Sequence, residues 1–248
     1  MLYVMKNAEK HHASGGKKLV IKPLRSRPKL PENFRDANWE NLSEAVHAIQ
    51  DERTVSASLE QLYRNVEDVC MQNHADWLYN RLEEECDIHA SKTLELITSW
   101  LSLEAMPFLE HVKGTWERYC SQLILIRQVF MYLDRTYLLT KSEHRSTFDM
   151  GLSYFRGHLL DKQYKPVEEK TVLGILSIID AEREGESIDR HLLKNLVRMF
   201  TLLGLYDSSF MGLFFDRVEA FYSRESKHVI MVRVDAFMPL FAGRLFDF

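Results

Sequence analysis

The amino-acid sequence predicts an all-α fold in which helices of similar size repeat along the chain, as in an α-solenoid. Three observations predict it. Leu109, Val112, Trp116, Tyr119, Leu123, Ile126, Phe130, Leu133 and Tyr137 recur alternately three and four residues apart, which draws one apolar seam along one helix face. Shorter segments with the same period follow one another before and after that seam, without a residue-level repeat. The chain of 248 residues has only 6 Pro and 10 Gly, and no segment shows the regular apolar–polar alternation of a half-buried strand.

The elements follow in order. Met1–Gly16 reads as a disordered tail, and Lys17-Lys18-Leu19-Val20-Ile21-Lys22 as a short basic, β-branched segment. Pro23, Pro28 and Pro31 forbid a helix there, so residues 1–34 form an extended arm. The first helix starts near Arg35 and buries Trp39, Leu42, Val46 and Ile49. Ser58 and Gln61 form a capping box for the second, whose apolar face is Leu59, Leu62, Val66 and Val69. A third runs from about Ala75 to Leu101, with Leu78, Leu82, Cys86 and His89 on one stripe. A weak point at Glu104–Met106 precedes the long helix, and Pro107 suits that helix's first turn. From Pro107 to Leu139 it would be about 50 Å long at ~1.5 Å per residue, a spine for other helices rather than the wall of a catalytic pocket.

Beyond Thr140 the pattern restarts. Ser146 caps a helix buried through Phe148, Leu152, Phe155 and Leu159. Pro166 opens the next, which buries Val172, Ile175, Ile179 and the stem of Glu182 and ends at Gly185. Ser187 is the expected cap of another, carrying Leu192, Leu196, Met199 and Leu203 and ending at Gly204; a last helix spans about Ser208 to Ser223.

Composition narrows the function classes. A hydrophobic fraction of 46% with 27% charged residues suits one or two folded domains, and a net charge of −4 is too mild to imply a direct nucleic-acid partner. No stretch reaches the ~18 uncharged apolar residues of a membrane span, and Met1–Gly16 lacks the apolar core of a secretory signal, which leaves nucleus and cytoplasm. Cys70, Cys86 and Cys120 form no Cys-x-x-Cys pair and read as buried, inert thiols.

Candidate chemistry is thin. Glu83-Glu84-Glu85-Cys86 with His89 offers metal-type side chains, but no second Glu-x-x-His motif supplies the other half of a helical site, so a solvated acidic face is expected. Asp189-Arg190-His191 reverses the kinase order, and Asp189 is read as a first-turn charge facing the helix dipole. Gly15-Gly16-Lys17-Lys18 lacks the earlier Gly and the Ser/Thr of a phosphate loop. No catalytic residue, metal or cofactor is expected. Glu60, Tyr63 and Glu67 share one stripe beside the apolar face of the second helix, and Gln128, Tyr132 and Arg135 fall off the long helix's seam. Two readings fit Tyr63: a tyrosine at the edge of the core, or an anchor for a protein partner.

Several segments in order resemble the amino-terminal region of cullins, the scaffolds of multi-subunit ubiquitin ligases. They are Lys17–Lys22 with Pro31, Leu59-Glu60-Gln61-Leu62-Tyr63, Ile124-Leu125-Ile126-Arg127, Tyr132-Leu133-Asp134-Arg135-Thr136-Tyr137, Asp149-Met150-Gly151-Leu152 and Gly185-Glu186-Ser187-Ile188-Asp189-Arg190. The resemblance is to the fourth cullin class, the plant-like members in particular. It implies an elongated stalk of five-helix cullin repeats, the first at residues 35–145 and a partial second at 146–224. It implies a non-catalytic scaffold of a cullin-RING ubiquitin ligase, working in ubiquitin-dependent protein catabolism. The implied partner is a triple β-propeller DNA-damage-binding adaptor, held by Leu19, Val20, Ile21, Glu60, Tyr63, Glu67 and Tyr132. The family's RING-binding region has no counterpart expected in these residues, so no ligase activity is expected of them alone. Residues 225–248, with Val229-Ile230-Met231-Val232, are read as a non-family tail of a truncated chain that does not join the solenoid. The alternative is a generic helical-repeat interaction module with another partner.

Overall fold

Local chemistry sets where each helix starts and stops. The computed structural model describes Pro31, residues 33–141 and residues 144–226; Leu19, Val20, Ile21 and residues 227–248 lie outside them, as does nearly all of the expected arm. Among the described residues every regular element is a helix, as the apolar period requires. They are α1 (Phe34–Gln50), α2 (Leu59–Met71), α3 (Ala75–Thr98), α4 (Ala105–Val129), α5 (Met131–Thr140), α6 (Thr147–Leu160), α7 (Lys165–Arg183) and α8 (Arg190–Leu202). A π-helical segment, Tyr206–Met211, then runs into α9 at 212–226.

Caps and stops are largely those expected. The Gln61 N–H donates to Ser58 Oγ at 3.2 Å, and the Asp149 N–H donates to Ser146 Oγ at 3.2 Å. Gly185 (φ 87°) and Gly204 (φ 64°) end α7 and α8 with left-handed backbone. Around Gly185 the Glu186 N–H reaches Ala181 O at 2.9 Å and the Gly185 N–H reaches Glu182 O at 3.1 Å, the paired bonds of a Schellman end.

Four expectations need correction. The long helix is not continuous: at Phe130 (φ −91°, ψ 18°) the backbone leaves helical geometry for one residue, dividing the expected spine into α4 and α5. The Phe130 N–H still donates to Ile126 O at 3.0 Å and the Asp134 N–H to Phe130 O at 3.2 Å, so the break is a joint that leaves the apolar register undisturbed. Periodicity alone cannot see such a joint. Leu59 is 51% exposed and stands outside the apolar face of α2, which buries Leu62, Val66 and Val69. The cap of α8 is Asp189 rather than Ser187; Asp189 Oδ1 accepts from the His191 and Leu192 N–H groups at 2.9 and 3.0 Å. The third helix ends at Thr98, and turns carry the chain on to Leu103.

α3 and α4 form the centre. α2, α5 and α6 pack on both of them, and α7 and α8 pack on α4. One core runs from Ala90 on α3 to Phe210 beyond α8, so α6, α7 and α8 share it with α3 and α4. At its middle the Trp116 and Tyr119 rings lie 5.2 and 5.0 Å from Phe155. The Tyr119 hydroxyl donates to Gly151 O at 2.8 Å.

Gly151 is what lets α6 approach α4: a Cβ there would fall inside contact distance of both methyl carbons of Leu123, itself fully buried. Gly151→Ala is therefore expected to cost about 1–3 kcal/mol by overpacking, despite Ala's better helix propensity. Gly157, on the exposed side of the same helix, has nothing within 4 Å, and Gly157→Ala should instead stabilise by about 0.5–1 kcal/mol. Thermal denaturation of the two variants should move the midpoint in opposite directions.

Candidate protein-binding face

Two elements far apart in sequence build the face. α2 buries Leu62, Val66 and Val69, which leaves Glu60, Tyr63 and Glu67 on the neighbouring stripe. α5 buries Leu133 and so turns Tyr132 toward α2. The rings of Tyr63 and Tyr132 meet edge to face, with centroids 5.9 Å apart and planes at 86°. Partial burial, and then the Glu67 carboxylate, push the Tyr132 phenol above its usual range. Glu67 is half-buried, while Glu60 is exposed and pairs with Arg64 at 2.6 Å across one helical turn. Such an exposed pair contributes little stability. Four of the seven expected contact residues are thus described, and Tyr63, Glu67 and Tyr132 come together; Leu19, Val20 and Ile21 lie outside the described residues.

Sequence reasoning missed the cleft beside this pair. Cys70, Asn73, Ala75, Asp76, Tyr132, Thr136 and Tyr137 line about 280 Å³ between the α2–α3 turn and α5. It also missed the cluster that closes its far end. Tyr137 donates its hydroxyl to Asp76 Oδ1, Lys141 Nζ lies 3.1 Å from the same oxygen, and His144 Nε2 is 3.2 Å from the Tyr137 hydroxyl. The Tyr137 bond first, then Lys141, hold the Asp76 carboxyl below its usual range. No short-range signal could announce these contacts, because Asp76 and Tyr137 belong to different helices.

The other candidate side chains take structural partners. Glu85 and His89 diverge: Glu85 meets His47 of α1 at 2.9 Å, and His89 meets Gln122 of α4 at 2.9 Å. Gln122 uses its amide nitrogen on Gln50 O, so His89 Nε2 carries the proton and donates to Gln122 Oε1. Burial pushes the Cys70 thiol up to about 11 and the Cys86 and Cys120 thiols up to about 12, which keeps all three protonated. Among the described residues no helix is long and apolar enough to cross a membrane.

His89 gives the fold an acid-sensitive point. Burial holds its pKa below the ordinary value, against the opposing effect of Gln122. A lowered folded pKa means that the unfolded chain binds more protons. The stability His89 supports is therefore complete above about 6.5 and is lost as pH falls below it. Comparing wild type with His89→Gln isolates the effect. Urea midpoints between pH 7.5 and 5 should fall more steeply for wild type, and parallel curves would refute it.

Residues 39–245 match the family model of the cullin alpha solenoid domain. The chain belongs to the cullin family. This cullin is 39% identical to human Cullin-4A over 221 residues, 89% of the present chain and 29% of that protein. It is 35% identical to Cullin-4 of Dictyostelium discoideum over 214 residues, 86% of the chain and 26% of that protein. With Cullin-3A of Arabidopsis thaliana the identity is 29% over 213 residues, 85% of the chain and 28% of that protein. The chain therefore spans under a third of the length of these relatives. The helices described above are those of a cullin α-solenoid, and the family match extends past Ser223 to take in most of residues 225–248.

Proposed function

We propose that this cullin chain is the amino-terminal, adaptor-binding part of a cullin-RING ubiquitin ligase scaffold. In this reading the α2–α5 face, through Glu60, Tyr63, Glu67 and Tyr132, holds a triple β-propeller DNA-damage-binding adaptor, and Leu19, Val20 and Ile21 add a second attachment. The chain is a non-catalytic scaffold part acting in ubiquitin-dependent protein catabolism, in the nucleus and cytoplasm. The observation that supports the reading most is the Tyr63–Tyr132 pair. Two aromatic rings stand side by side off the core, rimmed by Glu67 and opening on a cleft, which is the kind of place where binding energy concentrates. The similarity to Cullin-4 proteins points to the class of adaptor.

The test is an unbiased affinity capture with the chain as bait, followed by calorimetry with the purified adaptor. A one-to-one complex with the propeller adaptor supports the reading. Capture of an unrelated partner, with no heat on titrating the adaptor, would make the chain a helical-repeat interaction module of another kind.

A further inference from the structure

α5 is a short helix held at the wrong places to orient itself. It has ten residues, below the ~12–15 at which an isolated helix becomes marginally stable, and Phe130 separates it from α4. Leu133 is its one fully buried side chain among those described. Its direction is therefore set in part by polar contacts at its sides, the Tyr137–Asp76 bond toward α3 among them. Asp134 makes the contact that reaches α6. Its Oδ1 accepts from the Thr147 N–H at 3.0 Å and from the Thr147 hydroxyl at 2.6 Å, at the first residue of α6. Its Oδ2 is buried without a hydrogen bond, 3.5 Å from Arg127 Nε on the other side of the Phe130 joint. The Asp134 side chain is 12% exposed, and Thr147 is fully buried.

Asp134 lies two residues beyond Tyr132. At about 100° per residue this puts the two side chains some 200° apart, on nearly opposite faces of α5. One face is held by α6 and the other presents Tyr132 to Tyr63 on α2. Any roll of α5 about its axis that loosened the Thr147 contact would swing the Tyr132 ring away from Tyr63.

We propose that Asp134, clamped by Thr147, is a positioning residue that aims Tyr132, and that α6 is thereby coupled to the binding face. The inference rests on the reading of that face given above. The clamp acts because of the joint: a continuous helix would carry its direction over from α4, whereas past Phe130 Asp134 ties the Tyr132 end of α5 to α6.

Thr147 tests the inference without touching the face. Thr147→Val keeps the volume and loses the hydroxyl donor; Thr147→Ser keeps the donor. Adaptor affinity is measured by calorimetry for both, alone and in a Tyr132→Ala background. Amide hydrogen exchange is followed in the free chain. Thr147→Val should weaken binding about tenfold and Thr147→Ser less than about twofold, and in the Tyr132→Ala background Thr147→Val should change affinity less than about twofold. Exchange at 131–140 should quicken while the core of α3 and α4 stays protected. An equal loss in both backgrounds, or wild-type affinity for Thr147→Val, overturns the positioning role. Failure of the wild-type chain to bind the adaptor at all would refute the functional reading itself; faster exchange would then mark the clamp as structural only.

Discussion

The Tyr63→Ala, Tyr132→Ala double variant is expected to bind the propeller adaptor at least about thirtyfold more weakly than wild type, a loss of about 2 kcal/mol or more. The two rings touch, so each is the other's support as well as a contact surface, and the single variants should not add up to the double. Both residues are half-buried and off the core, so the helical spectrum should survive. The loss of one edge-to-face pair costs the fold about 0.5–1.5 kcal/mol beyond the area it covered. Unchanged affinity with an intact helical spectrum would remove this face from consideration. Glu60→Ala should matter less, because its carboxylate is exposed and already meets Arg64.

Phe155→Ala is expected to be among the most damaging core substitutions, at about 3–5 kcal/mol. That is a large part of the ~5–15 kcal/mol that holds a typical domain together. Phe155 is 1% exposed and packs against Trp116 and Tyr119 of α4, so its removal opens a cavity between α4 and α6. Because α6, α7 and α8 share one core with α3 and α4, urea unfolding followed by far-UV dichroism and tryptophan fluorescence should remain a single transition at a lower midpoint. Two separated transitions would show that the residues on either side of Ser146 fold independently, and a shift worth under ~1.5 kcal/mol would show that the core collapses around the missing ring.

Three of the segments that carried the family resemblance, Tyr132–Tyr137, Asp149–Leu152 and Gly185–Arg190, hold joints of the fold. Asp134 holds the start of α6, Gly151 permits the α4–α6 approach, Gly185 ends α7 and Asp189 caps α8. Each is a place where few residue types fit the geometry. The binding face is legible in a different way. Glu60, Tyr63 and Glu67 could be placed beside the apolar stripe of α2 by counting residues, since a helix fixes which positions share a side.

What the sequence by itself determined was the set of helices, most of their caps and their buried faces. These depend on period and on single capping residues, both of which are local: Ser58, Ser146, Gly185 and Gly204 act within a few positions of themselves. What only the tertiary structure decided was how α5 stands. The one-residue break at Phe130, the Asp134–Thr147 clamp, the Tyr137–Asp76 bond and the meeting of Tyr63 with Tyr132 all join separate helices or turn on how they pack. The seam from Leu109 to Tyr137 keeps its register through the break, because apolar period records which side of a helix is buried and not the direction its axis takes.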